Sequence, residues 1–327
     1  MIMRENVINA ALSALLLALP FAAVAMDEPF YVALASRMAV LGLAAVGLNL
    51  ALGLGGLVSF GHAAFFGIGG YVAGIMSTSV FNTEPLFSVP FTLYGTDLLP
   101  VVCLISMLLC AAVALPIGAV SLRTSGVYFI MITLAFAQMV YYFAISWPAY
   151  GGEDGLALYA RNQLPGVDTA DSLTFFLVCY AALMAGLGVF AVLRNSRFGT
   201  ALEVARQNEV RLAAAGVGPF QVRLVAFLLS AAMTGVAGAL FADLNRFVSP
   251  SMLSWHMSGV LIVLVILGGV GRLFGPVAGA MLYVALEFVL GGLTERWQLF
   301  LGLILLGVVL FARGGLIGLL AGRPRHG

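Results

Sequence analysis

The side chains that could do chemistry in this chain lie inside long apolar stretches. Segment 47–74 reads GLNLALGLGGLVSFGHAAFFGIGGYVAG and carries Asn49, Ser59 and His62, and two later apolar runs carry Gln138 and Glu287. Polar groups are costly in a bilayer, so they are candidates either for a solute path or for hydrogen bonds between helices. For His62 and Gln138 the alternative to a role in the solute path is a hydrogen bond between packed helices. For Glu287 the alternative is an interfacial or paired carboxylate.

Glycines interrupt the same apolar stretches. Gly55 and Gly56 are adjacent, and a second Gly-rich interruption covers 268–276. In a membrane, non-helical backbone is tolerated only where it is buried in protein or lines a water-filled cavity. The sequence therefore predicts broken backbone near the inner gate of a translocation path. The candidate path and gate residues are Asn49, Gly55, Gly56, Ser59, His62, Gln138 and Glu287.

Several other kinds of chemistry have no support in the sequence. The chain has no Lys, so it cannot form a Walker A phosphate-binding loop. Its three cysteines lie within apolar runs and apart from the histidines, so no metal site or cofactor is expected. No H-E-x-x-H motif or pair of intramembrane aspartates marks an intramembrane enzyme. The charges lie in loops and form no basic patch, so no nucleic acid is expected as a partner.

The composition indicates the elements that must position these residues. Hydrophobic residues make up 62% of the 327-residue chain and charged residues only 9%, against about 25% charged in soluble domains. The fold class expected is an all-α polytopic membrane protein forming a single transmembrane domain, 1–327, in the lipid bilayer. Ten spans are predicted, one of which could belong to a re-entrant hairpin: 7–26, 31–53, 56–80, 98–121, 127–147, 173–193, 224–244, 256–270, 273–292 and 297–312.

The arginines predict the orientation. With both termini in the cytoplasm, the inner segments hold eleven arginines and the outer segments three, Arg161, Arg246 and Arg296. Arg37 lies within a span and is not counted. This bias follows the positive-inside rule and makes 81–97 and 148–172 periplasmic loops. Residues 1–26 could alternatively be a cleaved signal peptide, because Ala23-Val24-Ala25 resembles a cleavage site.

The cytoplasmic segment 194–223 is the one long polar stretch. Residues 201–215 have helix-forming composition with apolar and polar sides, and Gly216 is expected to end this helix. A loop between neighbouring spans needs fewer residues, so this helix is predicted to dock onto a cytosolic partner. The alternative is a helix lying on lipid headgroups.

Four stretches resemble the permeases of branched-chain amino-acid (LIV-type) ABC importers. Segment 47–74 is similar to the family's GLNL…GxxSxGHAAFFGIGAY motif, and 151–156, GGEDGL, to its TGGSDGL loop. Phe247 to Pro250, with 267–280, resembles FVSP…LGGLGSLWGPVLGA, and 194–223 resembles the coupling region. The order of the motifs is closer to the LivM-like subunit than to its LivH-like partner. Two departures are Glu153, where a small residue is usual, and Arg272, where Ser is common.

The resemblance implies a set of partners and roles. A second homologous permease (LivH-like) would complete the pore, two cytosolic ABC ATPases would drive it, and a periplasmic substrate-binding protein would deliver the solute at a bacterial inner membrane. The ATPase-facing residues would be Arg206, Asn208, Glu209 and Gly216. The outer loop, expected to act as a gate or docking element, contains Gly152, Glu153, Asp154 and Gly155.

Two questions stay open at this point. The solute could be a branched-chain or related amino acid, urea, a short amide or an aromatic acid, since relatives handle several solutes. An ion-coupled secondary transporter is a different mechanism, but few acids lie in the spans and segment 194–223 is typical of a partner-docking loop. Apart from transport, no enzymatic activity is expected of the chain itself.

Overall fold

The computed structural model describes residues 2–83, 85–87, 93–311 and 314–321. These residues are almost entirely helical, as the apolar runs predict. The α-helices are α1 (Ile2–Ala25), α2 (Pro29–Asn49), α3 (His62–Asn82), α4 (Leu99–Ser121), α5 (Val127–Ile145), α6 (Ser172–Arg194), α7 (Arg197–Gln207), α8 (Glu209–Ala214), α9 (Pro219–Asn245), α10 (Trp255–Gly268), α11 (Gly275–Leu293), α12 (Trp297–Phe311) and α13 (Gly315–Ala321).

The helices confirm an all-α polytopic membrane protein. Eight of those in the described residues are long and apolar enough to cross a membrane, namely α1 to α6, α9 and α11. α10 and α12 are also apolar but have 14 and 15 residues, which is short for a hydrocarbon core of about 30 Å. Each of the ten predicted spans corresponds to one of these ten helices. α10 and α12 are the helices for which a full crossing depends on tilt or on neighbouring backbone.

Three boundaries differ from the predictions. The predicted span 56–80 is wrong at its start, because residues 55–61 are not helical and α3 begins at His62. α2 does not stop at residue 53 as a regular helix but changes at Leu50–Leu54 into one π-helical turn. The single helix expected over 201–215 is two helices, because Asn208 adopts extended backbone between α7 and α8.

The centre of the molecule is built from α2, α3 and α9, whose apolar windows are the most buried of the long helices. α3 and α9 cross at glycines: a Cβ on Gly69 would lie 1.9 Å from the Gly235 carbonyl oxygen, and one on Gly238 would lie 1.8 Å from that of Phe66. Small residues permit this close backbone approach. The crossing places the broken segment that precedes α3 against the middle of α9.

Two short antiparallel ribbons complete the loops. β1 (Pro85–Phe87) pairs with β2 (Leu93–Tyr94), and β3 (Leu156–Ala157) pairs with β4 (Phe247–Val248). The second ribbon attaches the predicted loop 148–172 to the chain that follows α9. Residues 84 and 88–92 of the predicted loop 81–97 lie outside the described residues, as do residue 1, 312–313 and 322–327, which include both chain ends.

Helix α1 packs on the outside of this centre. Leu16 and Ala23 are buried, and the Ser13 hydroxyl lies 2.5 Å from the Tyr180 hydroxyl of α6. α1 is thus seated on the bundle through one face and exposed over most of the other. Whether residues 1–26 are removed as a signal peptide stays a prediction.

Candidate functional site

The broken backbone between α2 and α3 is the first part of the site. The π-helical turn is followed by Gly55 and by Gly56, which has a left-handed φ of +68°. An L-residue adopts that φ at a cost, so Gly56 suits the point where the chain reverses. Ser59 lies in the non-helical connection, and His62 is the first residue of α3.

The polar groups of this connection bond to two other helices. Ser258 of α10 donates from its hydroxyl to the Phe60 carbonyl oxygen at 2.6 Å and accepts from the Ala63 N–H at 2.9 Å. Thr133 of α5 accepts from the Phe60 N–H at 3.3 Å. Ser258 therefore caps α3 from a neighbouring helix. The backbone groups of Phe60 and Ala63 thus fix the connection to α5 and α10.

Asn49 joins the two Gly-rich interruptions. Its side-chain nitrogen donates to the Arg272 carbonyl oxygen at 3.0 Å, and its side-chain oxygen accepts from the Gly271 N–H at 2.9 Å. Gly53 packs against the same segment of backbone, because a Cβ added at Gly53 would lie 2.7 Å from the Gly271 nitrogen. The segments 50–56 and 268–274, far apart in sequence, thus form one contiguous region of broken backbone.

His62 is fully buried beside this region. Its Nε2 lies 2.7 Å from the Ser230 hydroxyl, which itself donates to the Gly47 carbonyl oxygen at 2.6 Å. Since that hydroxyl proton is used on Gly47, the Ser230 oxygen accepts from His62, and we place the imidazole proton on Nε2. The ring packs edge-on against Phe65 and Phe227, and Nδ1 has no hydrogen-bond partner in the described part of the chain. His62 links α2, α3 and α9.

The polar segment 194–223 contacts the broken backbone directly. Arg206, in the last turn of α7, donates from Nη1 to the Gly53 carbonyl oxygen at 2.7 Å. Its aliphatic stem lies over Gly56, where a Cβ would stand 3.0 Å from Cγ. The guanidinium thus binds a carbonyl oxygen of the π-helical turn. An irregular turn of helix leaves such carbonyl oxygens available for hydrogen bonds from outside the helix.

Side-chain caps and one ion pair shape the rest of this segment. Ser196 caps α7, and Asn208 caps α8 by accepting from the Arg211 N–H at 3.1 Å. Glu209 forms an ion pair with Arg223 at the start of α9, and Arg223 also donates to the Ala205 carbonyl oxygen at 2.9 Å. Gly216 follows α8 with a φ of +81°.

The buried face of these two helices bears on the lipid alternative. Leu202, Ala205 and Leu212 are all buried within the chain. None of these three residues is therefore available to lipid, whereas Val210 on α8 is 78% exposed. The opposite side, with Glu203, Asn208, Glu209 and Arg211, is exposed. Contact of this exposed side with an ATPase stays a prediction.

Gln138 and Glu287 lie apart from this cluster. Gln138 is half-buried on α5, and its side-chain nitrogen has no hydrogen-bond partner among the described residues. Glu287 on α11 forms an ion pair with Arg37 on α2, with 2.9 Å between Oε1 and Nη2. A role in the solute path stays a prediction for Gln138 and for Glu287. For Glu287 the structure adds its ion pair with Arg37.

The GGEDG loop is a tight turn above the ribbon β3–β4. Gly151, Gly152 and Gly155 all have positive φ, and the Asp154 and Gly155 N–H groups both donate to the Gly151 carbonyl oxygen. Glu153 and Asp154 are exposed at its tip. A Cβ on Gly155 would lie 2.3 Å from the Val248 carbonyl oxygen, so glycine is needed for the ribbon to form. The two carboxylates are held at the surface, and a docking or gating role stays a prediction.

Some residues of the site were not singled out from the sequence. Ser230 and Ser258 lie in apolar helices and carry hydrogen bonds of the broken segment, but one serine within a span has no distinguishing pattern. Asp243, near the end of α9, is buried and accepts from the Asn162 side chain at 2.7 Å, which anchors loop 148–172 to α9.

Comparison with known proteins places these features in a family. The family model described as branched-chain amino acid transport system, permease component, matches residues 30–312. Two relatives are the high-affinity branched-chain amino acid transport system permease proteins LivM of Salmonella typhimurium and of Escherichia coli. Each is 29% identical over 302 residues, covering 85% of this chain and 67% of its own length. No solved structure matches significantly. The family match spans most of the chain, including both interruptions and the segment that contacts them, and the chain therefore belongs to the permease components of branched-chain amino acid transport systems.

Proposed function

We propose that this chain is one permease subunit of an ABC importer that carries branched-chain or related amino acids across the bacterial inner membrane. It would act with a second homologous permease, two cytosolic ATPases and a periplasmic substrate-binding protein, with both of its own termini in the cytoplasm. Among the structural observations, the contact between Arg206 and Gly53 supports this best. It connects a helix pair outside the spans to broken backbone within them.

The proposed mechanism is ATP-driven alternating access. Closure of the ATPases pushes on α7 and α8, and Arg206 carries the displacement to the π-helical turn of α2. Asn49 then couples this turn to segment 268–274, while His62 and Ser230 couple α3 to α9. One displacement at the cytoplasmic face would thus reach α2, α3, α9, α10 and α11 together.

Reconstitution tests the function. The chain is inserted into proteoliposomes with its co-purifying permease and ATPases, and uptake of labelled leucine is measured with the co-purifying binding protein outside and ATP inside. We expect uptake that requires ATP and the binding protein. Uptake that an ion gradient drives without the ATPases would refute the proposal and establish the ion-coupled alternative. Ligand binding by the purified binding protein decides between branched-chain amino acids, urea, short amides and aromatic acids.

The variant Arg206→Ala tests the coupling step. Losing a hydrogen bond to a charged donor costs about 1.5–3 kcal/mol, which corresponds to a roughly tenfold or greater loss in an equilibrium. We expect ATPase subunits still to bind and hydrolyse ATP while leucine uptake per ATP falls about tenfold.

The matched control is Arg4→Ala, since Arg4 is exposed on α1, away from α7 and α8, and its side chain has no hydrogen bond within the described residues. Equal uptake per ATP in both variants and the wild type would show that Arg206 does not carry the coupling.

A further inference from the structure

A groove with charged walls lies between α2, α11 and the start of α12. It has a volume of about 360 Å³ and is lined by Phe30, Arg37, Glu287, Phe288, Gly291 and Trp297 among others. Side chains added at Gly291 or Gly292 would meet nothing within 4 Å, so these glycines leave the groove open. It lies near the ends of α2 and α11 that face outward in the proposed orientation.

The ion pair in this groove leaves some of its hydrogen-bonding atoms without a partner among the described residues. Arg37 and Glu287 are joined by one hydrogen bond, while Arg37 Nε and Glu287 Oε2 have no partner within the described ranges. Arg37 lies eight residues from the start of α2 and Glu287 six from the end of α11, about 12 and 9 Å of helix rise. A guanidinium carries five N–H donors, and its side chain remains 36% exposed. At this depth a partner from outside the chain would stabilise the pair.

The walls of the groove offer opposite charges and aromatic rings. Phe30 and Phe288 pack together with 5.5 Å between ring centroids, and Trp297 lies at the start of α12. Guanidinium binds phosphate through paired N–H donors, carboxylate binds an ammonium, and aromatic faces attract cations. We propose that the groove binds the headgroup of an amine-bearing zwitterionic phospholipid, with its phosphate on Arg37 and its ammonium on Glu287.

A free amino acid carries the same two charges, but the surroundings favour a lipid. Phe288, Val289 and Leu293 on α11 are 40%, 53% and 76% exposed. This apolar surface beside the groove would accommodate the acyl chains of a lipid. A free amino acid has no acyl chains that could cover it. The proposal concerns a lipid at the rim of the permease and does not depend on which solute is transported.

Native mass spectrometry of the full chain tests the proposal. Purified protein is exposed to equal amounts of phosphatidylethanolamine and phosphatidylglycerol, which share the phosphate but differ in the ammonium. We expect retention of phosphatidylethanolamine over phosphatidylglycerol by about tenfold, the ratio that ~1.4 kcal/mol supplies. Equal retention of the two lipids by the wild type would mean nonspecific annular lipid and would overturn the proposal.

Three variants locate the binding. Glu287→Gln should retain both lipids about equally, because the ammonium loses its partner while the phosphate keeps Arg37. Gly291→Leu should lose both by filling the groove without touching the ion pair. Gly302→Leu on α12 is its control, since Gly302 also has open space around it and lies outside the groove. Unchanged lipid preference in Glu287→Gln or in Gly291→Leu would overturn the proposal, as would displacement of the lipid by millimolar leucine.

Discussion

At the scale of single residues, the polar groups within the apolar segments serve to connect backbone. Asn49 and His62 were predicted either to line a path or to pack between helices, and each has hydrogen bonds to a partner more than 150 residues away. Arg206 was predicted to face a partner, and it also binds Gly53 within its own chain. The sequence identified these residues because polar groups in apolar runs are conspicuous. It could not identify their partners, since those include backbone atoms of distant segments.

Asn49→Ala should destabilise the protein markedly. The substitution leaves the Gly271 N–H and the Arg272 carbonyl without the amide, and buried unpaired groups cost about 1–3 kcal/mol each. We expect a lower apparent melting temperature of the purified protein in detergent and faster proteolysis between residues 268 and 275. Asn82→Ala, at the exposed end of α3, is the control. Identical melting of the two variants would show that the Asn49 contact adds nothing to stability.

At the scale of elements, α3 and α9 form the most extensive helix pair. Gly69 and Gly238 each allow contact with the backbone of the other helix. Small residues recur at four-residue spacing on these helices, as in Gly70 with Gly74 and Ala231 with Gly235 and Ala239. Which row meets which could not be predicted, because a row of small residues does not specify its partner helix. The start of α3 was predicted wrongly because residues 55–61 are apolar, yet the backbone of Phe60 is hydrogen-bonded to Thr133 and Ser258 on other helices and not within a helix.

Gly238→Ala should force α3 and α9 apart. Its Cβ would lie 1.8 Å from the Phe66 carbonyl oxygen, far inside van der Waals contact, and overpacking costs about 1–3 kcal/mol. Gly188→Ala on α6 is the control, because nothing lies within 4 Å of the added Cβ. There the usual helix preference for Ala should raise stability by about 0.5–1 kcal/mol. Melting curves of both purified variants give the comparison, and a neutral Gly238→Ala would contradict the described crossing.

At the scale of the whole molecule, composition and the hydrophobic runs were sufficient to predict a polytopic helical protein with ten apolar segments. The distinction between eight long helices and the shorter α10 and α12 was not evident, because apolar composition continues through the interruption at 268–276. The sequence also marked both interruptions by their glycines. It did not show that they touch, since that contact depends on how α2 and α10 are placed in three dimensions.

Helix α1 should remain part of the mature protein. Its contacts through Ser13, Leu16 and Ala23 tie it to the bundle, which a cleaved leader would not need. Intact-mass measurement of the protein purified from membranes should therefore include residues 2–25. A mass that corresponds to cleavage after Ala25 would contradict this prediction and favour the signal-peptide alternative.

The contact of Asn49 with segment 271–272 has a consequence for biosynthesis. Its partners lie 222 and 223 residues further along the chain, and ribosomes add about 5–20 residues per second. The amide is therefore made roughly 11–45 s before its acceptor and donor exist. During that interval α2 is already in the translocon or the bilayer with an unmatched polar group at its C-terminal end. Insertion of α2 must tolerate this interval, and a nascent chain arrested before residue 271 should expose Asn49 to quality-control proteases that the finished permease excludes.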